Sequence, residues 1–241
     1  MDEAKKTNAI RGDAFVKKYF KGKVIDIGAG RDLVCAHAER FDLEDGDANV
    51  ITQYRDIESY DCVHSSHCLE HMHDPQRALM QWWALVKPGG YLVTVVPDED
   101  LYEQFNWPSI FNQDHKVTFR LKQGPSWSPV SFKIDDLVRS LPGAEILSTE
   151  LQDVGYDYGL QNKMIRLNMT ASKRRTLSQY IVRMAVKVVK RIPFVGKDLK
   201  RQVENIGFRF GVPIDQSARE ALAQIQIVAR KVNGDNGEVT A

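Results

Sequence analysis

Four of the six histidines fall between His64 and His73, in a stretch that also carries Cys62, Cys68 and Glu70. His115 stands apart, directly after Asp114. Imidazole is the side chain whose unperturbed pKa lies nearest neutral pH, so these residues are suited to taking a proton from a substrate. A His and Cys cluster also raises the question of a metal. His64 lies in a strand-like run, the other three straddle a turn, and the paired ligand spacing of a structural zinc site is missing, so no metal site is expected. A second stretch, Lys23 to Asp32 (KVIDIGAGRD), offers backbone rather than side chains. Gly28, Ala29 and Gly30 leave room for close approach of a ligand, and glycine tolerates positive φ.

These residues need elements to hold them. Val24 to Ile27 reads as a short buried strand, the glycines as a tight turn, and Asp32 to Glu39 as a helix capped by Asp32. Strand, Gly-rich turn and helix open a doubly wound α/β domain. A dinucleotide fingerprint needs a third glycine where Leu33 stands, and a phosphate-binding loop needs a Gly-Lys-Ser/Thr end that is absent. The remaining pattern, D-x-G-x-G with an acid on the strand, suits a ligand that carries an ammonium group and no phosphate. This turn resembles the first motif of the class I S-adenosylmethionine-dependent methyltransferases.

The block from Ser65 to Asp100, SSHCLEHMHDPQRALMQWWALVKPGGYLVTVVPDED, is similar to the later motifs of the same family. Tyr60 to Ser66 is a buried strand, Asp74 and Pro75 open a helix over 76–86, Lys87 to Gly90 is a turn, and Tyr91 to Val96 is the next strand. The run PDEDLYEQFNWPSIFNQDHKVTF also resembles a bacterial subgroup tied to sugar or surface-polysaccharide modification. The resemblance implies a mostly parallel Rossmann-like sheet ending in an antiparallel strand pair. Ala144 to Leu151 and Leu222 to Val232 fit that pair, which makes about 155–219 a helical insertion within a single domain spanning residues 1–241.

The resemblance also implies S-adenosylmethionine as cofactor, with Gly28 and Gly30 beneath it and Asp26 near its methionine end. Asp42 or Asp47 takes the ribose or the adenine, Asp47 as the candidate acid of the following strand end, and Ser65 and Ser66 complete the pocket at the strand ends. An acceptor hydroxyl holds its proton firmly, so a positioned base is needed. His115, oriented by Asp114, is the expected base, and His71 is the second candidate. The long loop 106–131, rich in Pro, Trp, Ser and Gln, lies where an acceptor would bind.

Composition supports a packed core, with 43% hydrophobic residues in 241. No apolar run approaches the roughly 18 residues of a membrane span. The first residues lack the apolar core of a signal peptide, and three cysteines read as reduced thiols, so a cytoplasmic protein is expected. The net charge of +1 conceals an asymmetry. Lys163 to Arg209 holds 13 Lys/Arg against Asp198 and Glu204, leaving 20 basic and 30 acidic residues elsewhere.

Within that basic stretch Leu177, Tyr180, Ile181, Met184, Val188 and Ile192 recur at helical spacing, with Arg183, Lys187 and Lys190 on another face. Such a helix either packs its apolar stripe against the body or lies on an anionic membrane surface. The expected activity is O-methylation of a sugar in a polysaccharide or glycoconjugate precursor. The competing readings are a nucleic-acid or small-molecule methyltransferase and a non-catalytic cofactor-binding interaction module. Few aromatics accompany the basic residues, which disfavours nucleic acid.

Overall fold

The computed structural model describes residues 3–163, 181–182, 184–186, 188–189, 192–194, 196–210 and 212–232. The chain divides into two compact units, Met1–Gly155 with Ser217–Ala241, and Tyr156–Gln216.

The larger unit is built on a six-stranded sheet. Its strands are β1 (Val24–Ile27), β2 (Glu39–Phe41), β3 (Tyr60–Ser66), β4 (Val86–Pro97), β7 (Ala144–Gln152) and β8 (Gln224–Lys231), in the order β2-β1-β3-β4-β8-β7. Adjacent strands are parallel except for β8, which runs antiparallel to both β4 and β7. This is the mixed α/β sheet of the class I methyltransferase fold, with the expected terminal antiparallel pair. A separate parallel pair, β5 (Thr118–Arg120) and β6 (Ser131–Lys133), is bridged to the end of β4 through Asp98 and Phe119.

Both sheet faces are covered, as a parallel sheet requires. On one face Ile25, Ile27, Val63, Leu92 and Ile227 pack with α2 (Pro75–Leu85) and α3 (Ile134–Arg139). Trp82 and Trp83 are fully buried there, and their indole N–H groups donate to the carbonyls of Ala48 and Pro142, each at 2.9 Å. Truncating such a side chain to alanine costs about 3–5 kcal/mol. On the other face Val24, Cys62, Val93 and Val228 meet Tyr19 and Phe20 from the end of α1 (Glu3–Tyr19), which is broken at Gly12. The start of α2 follows the expected chemistry. Pro75 occupies the first turn, and the Asp74 carboxylate accepts from the Arg77 N–H at 3.0 Å.

Several expectations give way. No helix forms over 32–39, and the chain passes from Gly28 to Ala38 in turns before entering β2. A parallel crossover needs about a dozen residues to include a helix, and this connection is too short. Asp32 accordingly caps nothing helical and pairs with Lys5 at 3.2 Å. Asp47 is not at a strand end as expected but caps a 3-10 helix, Ala48–Gln53, and β2 lies at the sheet edge. Lys87 to Gly90 is a wide bulge within β4, since Tyr60 and Cys62 of β3 face Val86 and Tyr91. The long loop is irregular as expected except for β5, which pairs with β6.

In the smaller unit α4 (Lys197–Arg209) is a helix whose Gly207 lies against Val186. Val186 is buried, whereas Ile181, Met184, Val188 and Ile192 of the expected apolar stripe are exposed. Leu177, Tyr180, Arg183, Lys187 and Lys190 lie outside the described residues. Among the described residues no helix is long and apolar enough to cross a membrane.

Candidate active site

The parallel strands deliver their carboxyl ends to one edge, where ligands of open α/β sheets bind. Register aligns Ile27 with Phe41 on one side and with Ser65 on the other. The residues that follow each strand therefore meet: Gly28 after β1, Asp42 after β2, His67 after β3 and Asp98 after β4.

Gly28 and Gly30 both adopt positive φ, +75° and +58°. The Gly28 N–H donates to the Phe41 carbonyl at 2.8 Å, and the Gly30 N–H donates to the Asp42 carboxylate at 2.8 Å. The short β1–β2 connection thus brings Asp42 directly onto the glycine turn. A Cβ on Gly30 would meet nothing within 4 Å, so the space over the turn is open. A Cβ on Gly28 would press into Cys68 at 2.7 Å, so Gly28 is needed for packing as well as for φ. The Ser66 hydroxyl is buried with no hydrogen-bond partner, and Ser65 lies beside the Cys68 thiol. An open cradle of backbone, an acid at its rim and an unsatisfied hydroxyl at the next strand fit a nucleoside cofactor with a charged tail.

Asp26 and Asp47 are placed otherwise. Asp47 caps the 3-10 helix, accepting from the Asn49 side chain and N–H at 2.8 Å, which holds its pKa below the usual carboxylate range. Asp26 is buried with both oxygens engaged, one by the Val34 N–H at 2.7 Å and one by His64 Nδ1 at 2.6 Å. His64 Nε2 meets Arg11 Nη2 at 3.1 Å, and Arg11 Nε donates to Gln226 at 2.8 Å. Burial lowers the His64 pKa against the pull of Asp26, and burial likewise brings Arg11 down to about 10. The resulting pattern is a neutral His64 that donates from Nδ1 and accepts at Nε2. This chain ties α1 to three strands and fixes the loop that frames the glycine turn. Sequence reasoning passed over Arg11 because nothing in its neighbourhood marks it.

Across the edge lies a cluster around Glu70, in the 3-10 turn Leu69–His71. Glu70 is fully buried and neither carboxylate oxygen has a hydrogen bond. Its Oε1 is ringed by His67 Nδ1 at 3.6 Å, His71 Nε2 at 3.9 Å and His115 Nε2 at 3.9 Å. Burial alone would raise the Glu70 pKa, but the three imidazoles outweigh it and hold the group below its ordinary value. His115 is oriented by Glu103, through Nδ1 to Oε1 at 2.6 Å, and not by Asp114 as expected. Asp114 instead holds His71 Nδ1, at 3.0 Å from its carboxylate. The two rings lie 5.1 Å apart, nearly edge to face.

At the end of β4 the acids of Asp98, Glu99 and Asp100 organise the long loop. Glu99 takes hydroxyls from Thr118, Ser126 and Ser131, and Asp100 accepts from Trp127 Nε1 at 2.9 Å and pairs with Lys122. Asp98 is pushed up to about 7 by burial, against the N–H donors of Leu101 and Asp100. A carboxyl so placed at a strand end is a feature of functional sites.

A family model described as a methyltransferase domain matches residues 10–210. The chain belongs to this methyltransferase family. Its cofactor is S-adenosylmethionine. No curated protein matches the chain. Among solved structures the methyltransferase is similar to a SAM-dependent methyltransferase from Archaeoglobus fulgidus, at 16% identity over 95% of each chain with a TM-score of 0.45. It is also similar to a putative methyltransferase from Bacillus halodurans, at 12% identity over 88% of this chain and 94% of that one, TM-score 0.44. Phosphoethanolamine N-methyltransferase 2 from Haemonchus contortus, in complex with S-adenosyl-L-methionine, is 13% identical with a TM-score of 0.46. The match covers 95% of this chain but 57% of that one.

Proposed function

We propose that this methyltransferase methylates a hydroxyl of a sugar in a polysaccharide or glycoconjugate precursor, on the cytoplasmic side of the cell. The observation that carries the reading is the buried Glu70–His71–His115 cluster at the carboxyl edge of the sheet. A hydroxyl must lose its proton to become a nucleophile, and a set of converging basic groups serves that need. The resemblance of residues 97–119 to a sugar-modifying subgroup supports the acceptor class.

In this reading the glycine turn supplies close approach of the backbone. Asp42 receives the ribose hydroxyls, and Asp47, at the cap of the 3-10 helix, is the acid assigned to the adenine. Ser65 and Ser66 line the floor at β3. Asp26 acts through the Val34 N–H by fixing the loop, so it is a positioning residue. S-adenosylmethionine supplies an already activated methyl group on a sulfonium, so alignment of the acceptor is the main task of the protein. His71 and His115, whose Nδ1 atoms are held by Asp114 and Glu103, are the candidate groups for activating the acceptor oxygen.

The test is transfer of a labelled methyl group to a panel of sugar nucleotides and oligosaccharides, with amines as the contrasting set. The expected product is an ether, located by mass spectrometry and NMR. Transfer to amines alone would overturn the reading.

A further inference from the structure

The cluster around Glu70 has a property that a proton acceptor alone does not explain. His71 Nδ1 is held by the Asp114 carboxylate at 3.0 Å and its backbone carbonyl at 3.3 Å, so Nδ1 carries the proton. His115 Nδ1 is held by Glu103 at 2.6 Å, with the same consequence. With Nδ1 of each ring occupied, Nε2 is the atom that each ring presents to Glu70. Both Nε2 atoms lie 3.9 Å from Glu70 Oε1, beyond hydrogen-bond length. A fully buried carboxylate without a hydrogen bond is costly, and here it converges with two imidazole nitrogens that can serve as metal ligands once Nε2 is deprotonated.

We propose that Glu70, His71 and His115 bind a divalent transition-metal cation. One atom from each residue lies within 4.8 Å of the others. At metal–ligand distances of about 2.0–2.2 Å, tetrahedral partners stand roughly 3.4 Å apart, so the three close in by about 1 Å. Two histidines and one carboxylate form a facial set that leaves positions open. The outer shell is also that of a metal site. Metal-bound histidines donate their second N–H to carboxylates, which fixes the tautomer, and Glu103 and Asp114 do this here. The backbone supports it too, since the Lys116 N–H donates to the Glu70 carbonyl at 2.8 Å and joins the two ligand-bearing loops. His71 and His115 are 44 positions apart in sequence, which is why ligand spacing did not reveal the set.

The site stands on this geometry. Its part in methyl transfer rests on the proposed function: an acceptor hydroxyl entering an open position would be acidified by the cation and release its proton to water.

The test uses the full chain, stripped with chelator and titrated with Zn²⁺ by calorimetry and with Co²⁺ by visible absorption. One equivalent of binding is expected, with tetrahedral or five-coordinate cobalt bands. His71→Ala, whose side chain is partly exposed, and Glu70→Gln should each weaken binding at least tenfold, with folding checked by circular dichroism. Glu103→Gln should weaken it about 10–100-fold without removing a ligand. Cys35→Ser and His73→Ala should leave it unchanged. Binding that is not stoichiometric, or that survives both His71→Ala and Glu70→Gln, would overturn the assignment. Stoichiometric binding with full hydroxyl methylation after chelation would overturn the metal's part in transfer and leave the proposed acceptor intact.

Discussion

The two units of this methyltransferase treat charge and apolar surface in opposite ways. In the sheet-bearing unit acids and histidines are buried in pairs, Asp26 with His64 and Glu103 with His115, and a large apolar core that includes Trp82, Trp83 and Phe41 lies inside. In the Tyr156–Gln216 unit Val186, Val212 and Ile214 are buried, but several large apolar side chains face outward. Phe194 is 96% exposed, and Ile181, Val188 and Ile206 are each more than half exposed. The same stretch holds most of the excess positive charge of the chain. Buried charge specifies geometry for chemistry, whereas exposed apolar residues among cations specify a surface to be covered. The difference argues for catalysis in one unit and attachment in the other.

The comparison breaks most sharply at Asp26. Asp26→Ala leaves the Val34 N–H and His64 Nδ1 without their acceptor in a buried site and removes the negative charge that offsets the Arg11 cation. Breaking a buried pair costs about 3–5 kcal/mol, so urea unfolding should show a loss on that scale. A loss below about 1 kcal/mol would mean that the network is not a structural tie.

Asp98 gives a smaller effect with a pH signature. Its pKa is raised to about 7 by burial, so the folded state retains a proton that the unfolded state releases near 4. Its ionisation therefore costs stability progressively as pH rises from about 4 through 7, and the full cost, on the order of 2–4 kcal/mol, is present above that range. Asp98→Asn should stabilise the protein at pH 8 and change little at pH 4. Thermal melts at both pH values would check this, and equal shifts at the two would contradict it.

We expect the surface unit to show the weakest effect per residue. Each basic side chain near an anionic bilayer contributes about 1 kcal/mol, screened by salt. The protein should sediment with vesicles containing anionic lipid, and Phe194→Asp should reduce this severalfold with methyl transfer to a soluble acceptor unchanged. Sedimentation independent of lipid charge would leave the unit without this role.

Much of the catalytic half was legible in sequence because local chemistry and global fold agree there. The strand 24–27 and the Asp74–Pro75 helix start follow from apolar runs, turn residues and capping, and the strands at 144–151 and 222–232 from alternation, while their antiparallel pairing follows from the family resemblance. The connection after Gly30 holds no helix, although Asp32 after a Gly-rich turn has the character of a helix cap. Chain length, which only the position of β2 reveals, forbids it. Asp42 and Asp47 were equivalent on paper, and the short connection places only Asp42 on the turn. The Glu70 cluster was half visible. His71 and His115 stand out in the sequence, but the partner of His115 is Glu103 and not the adjacent Asp114, since Glu103 reaches His115 only through the folding of the 98–119 loop.

The central claim is that the Gly28–Gly30 turn holds the cofactor. Gly28→Val is a poor probe, because its side chain would collide with Cys68 and damage the fold. Gly30→Ala is the direct one. Its new methyl group meets no protein atom within 4 Å, so only strain at positive φ, about 1 kcal/mol, opposes folding. Calorimetric titration with S-adenosylhomocysteine should show a single site in the wild-type chain and at least tenfold weaker binding in Gly30→Ala, with the melting transition still cooperative. Equal affinity in the two proteins would place the cofactor elsewhere and contradict the account.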